Sequence, residues 1–427
     1  MYLTPLQEEL ERFVNTKSVQ LNKTFADSDF TNARLISLLS KHNKHFKKLR
    51  ELADLDEINH KQIGVSAGFQ SKIYSVDCHF SNGRTVSVIA KIPLINGLFD
   101  CCGLDNVDED KENSSPDTKP YDQHSIECEF YEQFGYLRNV PLPEVYYTEK
   151  IDLKGGNSGL ILMENMNLKS EPLGFYRSAT ENQCYELAKS IAHLQFNALA
   201  PRHTWWWMQF DKNMHVDFDL KLVKALWEHC YEMEDFKSIM DTAKIVQNKE
   251  YSLYAIRERP IEYGALTMAH GDTQPNNIMF KTKKDGSLTD ELAGIIDWQL
   301  CFYASPGLDL ARFLVLGADM NVREKCEQKY YDIYYNTLTN LYGKSCSKPP
   351  FTYEQGLEMF HLCLVQQSVQ TMLFASMIDI SHKQMGTTEP RFGILTHRIQ
   401  QSIVNARGLI KKYNLEKFVE HSSWMEN

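Results

Sequence analysis

The chain has 427 residues, a formal net charge of −10, 43% hydrophobic and 24% charged residues. That composition supplies a large apolar core and excludes a mainly disordered chain, and the length suits two or three domains or one large two-lobed unit. The acidic balance argues against a nucleic-acid backbone as partner, and no run approaches the roughly 18 apolar residues of a membrane span.

The opening Met1-Tyr2-Leu3-Thr4-Pro5-Leu6 has neither a basic stretch nor an apolar one, so no secretory leader is expected. Ten cysteines at irregular spacing, with no C-x-x-C pair, fit neither a zinc site nor a disulfide framework. The expectation is a soluble chain in a reducing, cytoplasmic setting.

Residues 31–53 place Leu35, Leu38, Leu39, His42, Phe46, Leu49 and Ala53 on one helical face. The polar side carries Lys41, Lys44, Lys47, Lys48 and Arg50, read as a solvated face, with a localisation signal as the sharper alternative. From Ile63 the period changes. Ile73, Val76, Phe80, Val86, Val88 and Ile89 are strand-like, and Ser81-Asn82-Gly83 supplies a hairpin turn between them. The stretch 97–123 has no period and eight acidic residues, which predicts a solvated surface loop, with an acidic docking site as the alternative.

Further on, residues 124–135 read as a helix, Leu160-Ile161-Leu162-Met163 as a buried strand, and Leu187, Ile191, Leu194 and Ala198 as another helix. A short strand starts at Thr267, a second covers Ala293-Gly294-Ile295-Ile296, and the rest reads as helical. Leu357, Phe360, Leu364, Thr371, Ala375 and Ile378 form one apolar stripe there. The layout predicts an α+β chain: a helical extension over 1–60, a small strand-rich N-lobe over 61–166 with the acidic insertion near 97–123, and a larger, mostly helical C-lobe over 167–427.

The sharpest segment is His270-Gly271-Asp272-Thr273-Gln274-Pro275-Asn276-Asn277, bounded by apolar runs. An Asp followed five residues later by an Asn suits phosphoryl transfer: the Asp accepts the hydrogen of an attacking hydroxyl, and the Asn carbonyl reaches Mg2+. Asp297, in Ile296-Asp297-Trp298-Gln299, exits a buried strand where a second metal ligand is needed. Either residue alone is equally well a cap or a strand-end charge; the order and spacing of the set favour chemistry. Lys91 ends the strand Val86-Ser87-Val88-Ile89-Ala90-Lys91 and can reach nucleotide phosphates if a helix carboxylate holds it. Glu127 on the next helix is that candidate, with Glu129 as competitor. Gly68, Phe69 and Ser71 belong to a loop of small residues suited to covering phosphates. Glu164 and Met166 follow a buried strand where a hinge backbone can bind adenine.

The chain resembles the ecdysteroid kinase-like, or CHK kinase-like, proteins of invertebrates, relatives of choline kinases and aminoglycoside phosphotransferases. The resemblance runs from about Gly64 to Ile380. It rests on Gly68-Phe69-Gln70-Ser71-Lys72-Ile73-Tyr74, Lys91, His124-Ser125-Ile126-Glu127-Cys128-Glu129, His270-Gly271-Asp272 with Asn277, Ile296-Asp297-Trp298-Gln299, and Ser305-Pro306-Gly307-Leu308-Asp309-Leu310-Ala311-Arg312. It implies a bilobal protein-kinase-like fold, ATP and Mg2+ as cofactors, and a small-molecule alcohol as substrate. It also implies Asp272 as catalytic base, Asn277 and Asp297 as metal ligands, and Lys91 with Glu127 on the phosphates. His270 would brace the catalytic loop, and Asp309 would anchor the segment after the metal site. Gly271, where protein kinases usually carry arginine, points to the small-molecule branch. Thr273-Gln274 stands where many relatives have Leu-Trp, which leaves the substrate open. The stripe over 357–378 and Trp205-Trp206-Trp207 are candidates for its pocket wall, with simple packing as the plainer reading.

Overall fold

A computed structural model of the chain describes residues 10, 12–15, 17–24, 30–64, 71–94, 119–152, 157–198, 220–247 and 249–419. Two compact units emerge, the first drawn from 1–98, 108–136 and 143–168, the second from 99–107, 137–142 and 169–427. Residues 97–118 of the acidic insertion and Trp205 to Trp207 lie outside the described residues, whereas 119–123, expected as loop, already belong to the helix Lys119–Phe134.

The first unit opens with α1 (Asn32–His42) and α2 (Lys44–Arg50). The apolar period predicts one helix, but the backbone breaks at Asn43, whose side chain accepts the Phe46 N–H at 2.9 Å and caps α2. An asparagine able to satisfy helix-end donors competes with the helix interior. Leu35, Leu39, Phe46 and Leu49 of the expected stripe are buried, whereas His42 is exposed, as are Lys41, Lys44, Lys47 and Lys48.

β1 (Leu55–Ile63) begins inside the stretch read as helical extension. Only its Leu55 is buried, so it carries no alternating apolar signal. It joins β2 (Ser71–Phe80), β3 (Thr85–Pro93), β4 (Val145–Glu149) and β5 (Leu160–Glu164) in a five-stranded antiparallel sheet of order β1-β2-β3-β5-β4. Gly83, at φ +77°, makes the β2–β3 turn.

Alternation along β3 sorts the two faces. Val86, Val88, Ala90 and Ile92 enter one core with Val76, Phe80, Leu160 and Leu162, and Leu35, Leu39 and Phe46 of the leading helices cover it. The N-terminal helices therefore pack on the sheet of this unit. Ile89 and Lys91 take the opposite face, where α3 (Lys119–Phe134) lies.

The second unit starts with β6 (Ser170–Pro172), α4 (Glu181–Asn197), α5 (Leu220–Glu232), α6 (Met240–Gln247), α7 (Lys249–Leu253) and α8 (Arg259–Glu262). β7 (Thr267–Ala269), β8 (Ile278–Thr282), β9 (Leu288–Ile295) and β10 (Phe302–Ala304) follow. Four helices close it: α9 (Leu308–Gly317), α10 (Met320–Lys344), α11 (Tyr353–Gln384) and α12 (Phe392–Lys412). β8 lies between β6 and β9, while β10 pairs with β7. β10 corrects the expectation of an all-helical remainder; three residues are too few to show a period.

Most of the α11 stripe is core: Phe360, Leu364, Thr371, Ala375 and Ile378 are buried, and Leu357 is half-buried. Capping boxes at Thr180 and Thr352 start α4 and α11. A small antiparallel-sheet unit and a larger, mostly helical one make up an α+β, protein-kinase-like fold. Among the described residues no helix is long and apolar enough to cross a membrane, and the eight described cysteines are free.

Candidate active site

In the first unit, Lys91 Nζ meets Glu127 Oε2 at 2.6 Å, with Lys91 5% and Glu127 0% exposed. Burial makes the pair mutually dependent, because either charge alone would stand in a dry site. Glu129, the competitor, turns to Lys150 and Gln133 instead. One turn before Glu127, His124 Nε2 donates to Glu149 O at 2.8 Å. Burial pushes this imidazole down to about 4, and the backbone carbonyl only partly offsets it.

Glu164 ends β5 with its side chain exposed and its N–H donated to Glu144 O at 2.8 Å. Met166 opens a short 3-10 turn, Met166–Leu168. Between them sits a residue the sequence reading passes over. Asn165 is buried and donates to Ser87 Oγ at 2.8 Å and Ser75 Oγ at 3.1 Å, tying this corner to β2 and β3. Its signal was a second polar side chain after the apolar run Leu160 to Met163. Ser71 opens β2 opposite Pro93; Gly68 and Phe69 lie outside the described residues.

The second unit holds the loop between β7 and β8. Gly271 has φ +78°, and a Cβ there would stand 2.2 Å from Leu300 O, so any side chain is excluded by both backbone and space. His270 Nδ1 accepts the Asp272 N–H at 3.1 Å while Nε2 faces Ile296 O at 2.9 Å. Those partners require the Nε2–H tautomer and a neutral ring. Asp309, in the first turn of α9, accepts the His270 N–H at 2.7 Å and the Gly271 N–H at 3.0 Å. Asp309 thereby ties α9, the helix after Asp297, to the loop of His270 and Gly271. Burial raises the Asp309 carboxyl, while the two amides and the Arg312 guanidinium hold it back. Pro275 then starts the 3-10 turn Pro275–Asn277 that leads into β8.

This scaffold presents Asp272, 7% exposed. Its Oδ1 receives Arg312 Nε at 2.8 Å and Nη2 at 2.6 Å. Its Oδ2 receives Gln274 Nε2 at 2.9 Å and Asn277 Nδ2 at 3.2 Å. Arg312 in turn donates from Nη1 to Gln367 Oε1 on α11 at 3.0 Å. Arg312 and Gln367 escape the sequence reading as neighbours of Asp272, although Arg312 closes the same motif as Asp309, one turn along α9. Thr273 Oγ1 bonds Asp309 O at 2.8 Å, so of the two departures from the family pattern only Gln274 touches the carboxylate.

Asn277 Nδ2 also donates to Asp272 O at 2.9 Å. With the nitrogen committed there, Oδ1 is the atom left for a cation. Ile278 pairs with Ile295, and Ile296 N–H donates to Asn277 O at 3.0 Å. This register puts Asn277 opposite Ile296, so Asp297 follows one residue later at the same end of the β8–β9 hairpin. Asp297 has φ +68°, an uncommon left-handed conformation for a non-glycine residue. An amide oxygen and a carboxylate form the hard-oxygen donor set that suits Mg2+, which keeps several non-protein ligands. Among the described residues no three His, Cys, Asp or Glu side chains gather as a metal site, and a cation shared with nucleotide phosphates needs no such cluster.

Fold and loop together define a kinase-like protein. The chain belongs to the family DUF1679, described as "Uncharacterized oxidoreductase dhs-27", whose model matches residues 44–401. An "Uncharacterized kinase-like protein D1044.1" of Caenorhabditis elegans is 23% identical over 312 residues, covering 70% of this chain and 77% of that protein. Among solved structures, choline kinase LicA from Streptococcus pneumoniae is 12% identical with a TM-score of 0.43, covering 86% of this chain and 99% of that one. A GDP complex of a mutant aminoglycoside 2'-phosphotransferase-IIIa is 12% identical with a TM-score of 0.45, covering 88% and 98%. Likeness at this level assigns no substrate.

Proposed function

We propose that the chain is an ATP- and Mg2+-dependent phosphotransferase that moves the γ-phosphate to a hydroxyl of a small organic molecule, in the manner of the ecdysteroid kinase-like proteins, in the cytoplasm. The observation that carries this reading is the setting of Asp272. Its loop is anchored twice, by Asp309 and His270, and its carboxylate is oriented by Arg312, Gln274 and Asn277. Such preorganisation is what phosphoryl transfer asks of a protein, since positioning and electrostatics do most of the work.

Oδ1 of Asp272 carries both Arg312 contacts, whereas Oδ2 meets only neutral amides. Oδ2, which meets no cation, is the oxygen that takes the substrate hydroxyl hydrogen. Lys91, held by Glu127, orients nucleotide phosphates under the loop of Gly68, Phe69 and Ser71. The Glu164 to Met166 backbone serves adenine. Mg2+, held by Asn277 Oδ1 and Asp297, would neutralise charge on the phosphoryl oxygens.

A second reading, a nucleotide-binding regulator without turnover, is favoured by one observation: both Asp272 oxygens already have donors. The oxidoreductase wording of the family description finds less support. Every pair of named strands is antiparallel, whereas the dinucleotide fold of such enzymes is a parallel sheet.

The deciding experiment gives the protein γ-labelled ATP, Mg2+ and a small-molecule extract of its source organism. Label in a small molecule is the expected result. ATP binding without any labelled product would instead favour the regulator, and label in added protein would indicate a protein kinase.

A further inference from the structure

A cavity of about 260 Å3 opens on the helical unit among α10, α11 and α12, lined by Arg323, Glu327, Ser368, Ser402, Asn405 and apolar neighbours. Arg323 is 3% exposed, yet its guanidinium is poorly matched. Nη1 donates to Ser402 Oγ, Nε has no hydrogen-bond partner, and Glu327 Oε2 stands 3.9 Å from Nη2, beyond hydrogen-bond reach. Burial acts against the charge of this group; Glu327 supports it from a distance, and Arg398 opposes it more weakly.

Arg398 on α12 makes the contrast. It is equally buried, but Asp319 and the carbonyls of Phe175, Arg177 and Leu316 take its N–H groups. Five donors on a guanidinium need acceptors when water is excluded, and an unmatched buried charge is costly. An oxyanion resolves the mismatch, because two of its oxygens meet Nε and Nη2 as a fork.

We propose that this cavity binds the oxyanion group, carboxylate or phosphate, of a small metabolite through Arg323, with Ser402 and Asn405 at its sides. Ser402 Oγ gives its hydrogen to Arg398 O at 2.9 Å, so it steadies the guanidinium instead of competing with the ligand. The Asn405 amide nitrogen meets the weak acceptor Met320 Sδ at 3.4 Å and can exchange it for an anion oxygen. Ser368 takes no part, since its hydroxyl is spent on Leu364 O at 2.7 Å. Glu327, whose carboxyl is raised by burial and held back by Arg323, stands at the mouth as the competing anion and can accept a proton when the ligand enters. The site does not depend on the phosphotransfer reading.

The test is thermal unfolding of the full chain, free of nucleotide and Mg2+, titrated with inorganic phosphate and separately with succinate against chloride at equal ionic strength. At least one oxyanion should raise the midpoint saturably in the parent and equally in Lys91→Met, which removes the phosphate-binding lysine of the first unit. Arg323→Met should lose that rise, with apparent affinity at least tenfold weaker. Glu327→Gln, lacking the competing charge, should bind the same anion more tightly. No saturable rise with either anion, a rise that survives Arg323→Met, or an unchanged affinity in Glu327→Gln overturns the proposal.

Discussion

Arg312 donates from both Nε and Nη2 to a single oxygen of Asp272, at 2.8 and 2.6 Å, with both side chains buried. This joins α9 to the β7–β8 loop. It also fixes the orientation of that carboxylate in a nearly dry site. Removing the cation leaves an uncompensated buried charge. Arg312→Leu should therefore lose about 3–5 kcal/mol of stability. Arg312→Lys should recover part of that loss without the two-pronged contact, leaving turnover reduced. Urea midpoints and kcat, measured on both variants, check the two statements separately.

Gly271→Ala should be far more damaging than its size suggests. The added Cβ meets Leu300 O at 2.2 Å, and the residue must keep φ +78°. Backbone rather than a flexible side chain is in the way, so the β7–β8 loop must shift. We expect loss of most activity and a fall of roughly 2–4 kcal/mol in stability, read by calorimetry.

Gln274 touches the carboxylate proposed as the base. Its Nε2 holds Asp272 Oδ2, while its Oε1 is buried with no hydrogen-bond partner among the described residues. Gln274→Leu removes one donor from the carboxylate, and also a buried acceptor that gains nothing in the free protein. Stability should change by less than about 1 kcal/mol, because the two effects oppose each other. A roughly tenfold fall in kcat/KM is expected, visible in steady-state kinetics once a substrate is in hand.

His124 supplies a pH dependence. Its folded value of about 4 lies below the ordinary 6.5 because the ring is buried. A histidine depressed in this way contributes stability that is complete above the unfolded value and lost as pH falls toward the folded one. His124→Gln should flatten the loss of stability between pH 6.5 and 4, by at most about 3 kcal/mol. Denaturation at several pH values in that window measures it; identical slopes for parent and variant would contradict the assignment.

The legible parts of this chain share a physical cause. His270, Gly271, Asp272 and Asn277 occupy one short loop whose spacing is set by local geometry, and Lys91 lies two residues before the end of an apolar strand, β3. Their placement could be read without knowing the fold. Glu127 was distinguishable from Glu129 only in three dimensions, since helix phase relative to the sheet decides which carboxylate meets Lys91. Arg312 and Gln367 depend on long-range packing of α9 and α11, which no local pattern encodes. The break at Asn43 and the polar β1 show a further limit. One capping side chain outweighed an apolar stripe, and an edge strand with a single buried residue left no period to find.

The central claim is that Asp272 is the base of a phosphotransferase whose nucleotide site is separate from that carboxylate. The most direct measurement compares the parent with Asp272→Asn in label transfer from γ-labelled ATP, with ATP affinity measured alongside. The variant keeps the size of the side chain and loses only its ability to accept the proton. Transfer should fall about 10²–10⁴-fold while ATP affinity stays within about twofold. Transfer undiminished in Asp272→Asn would contradict the account.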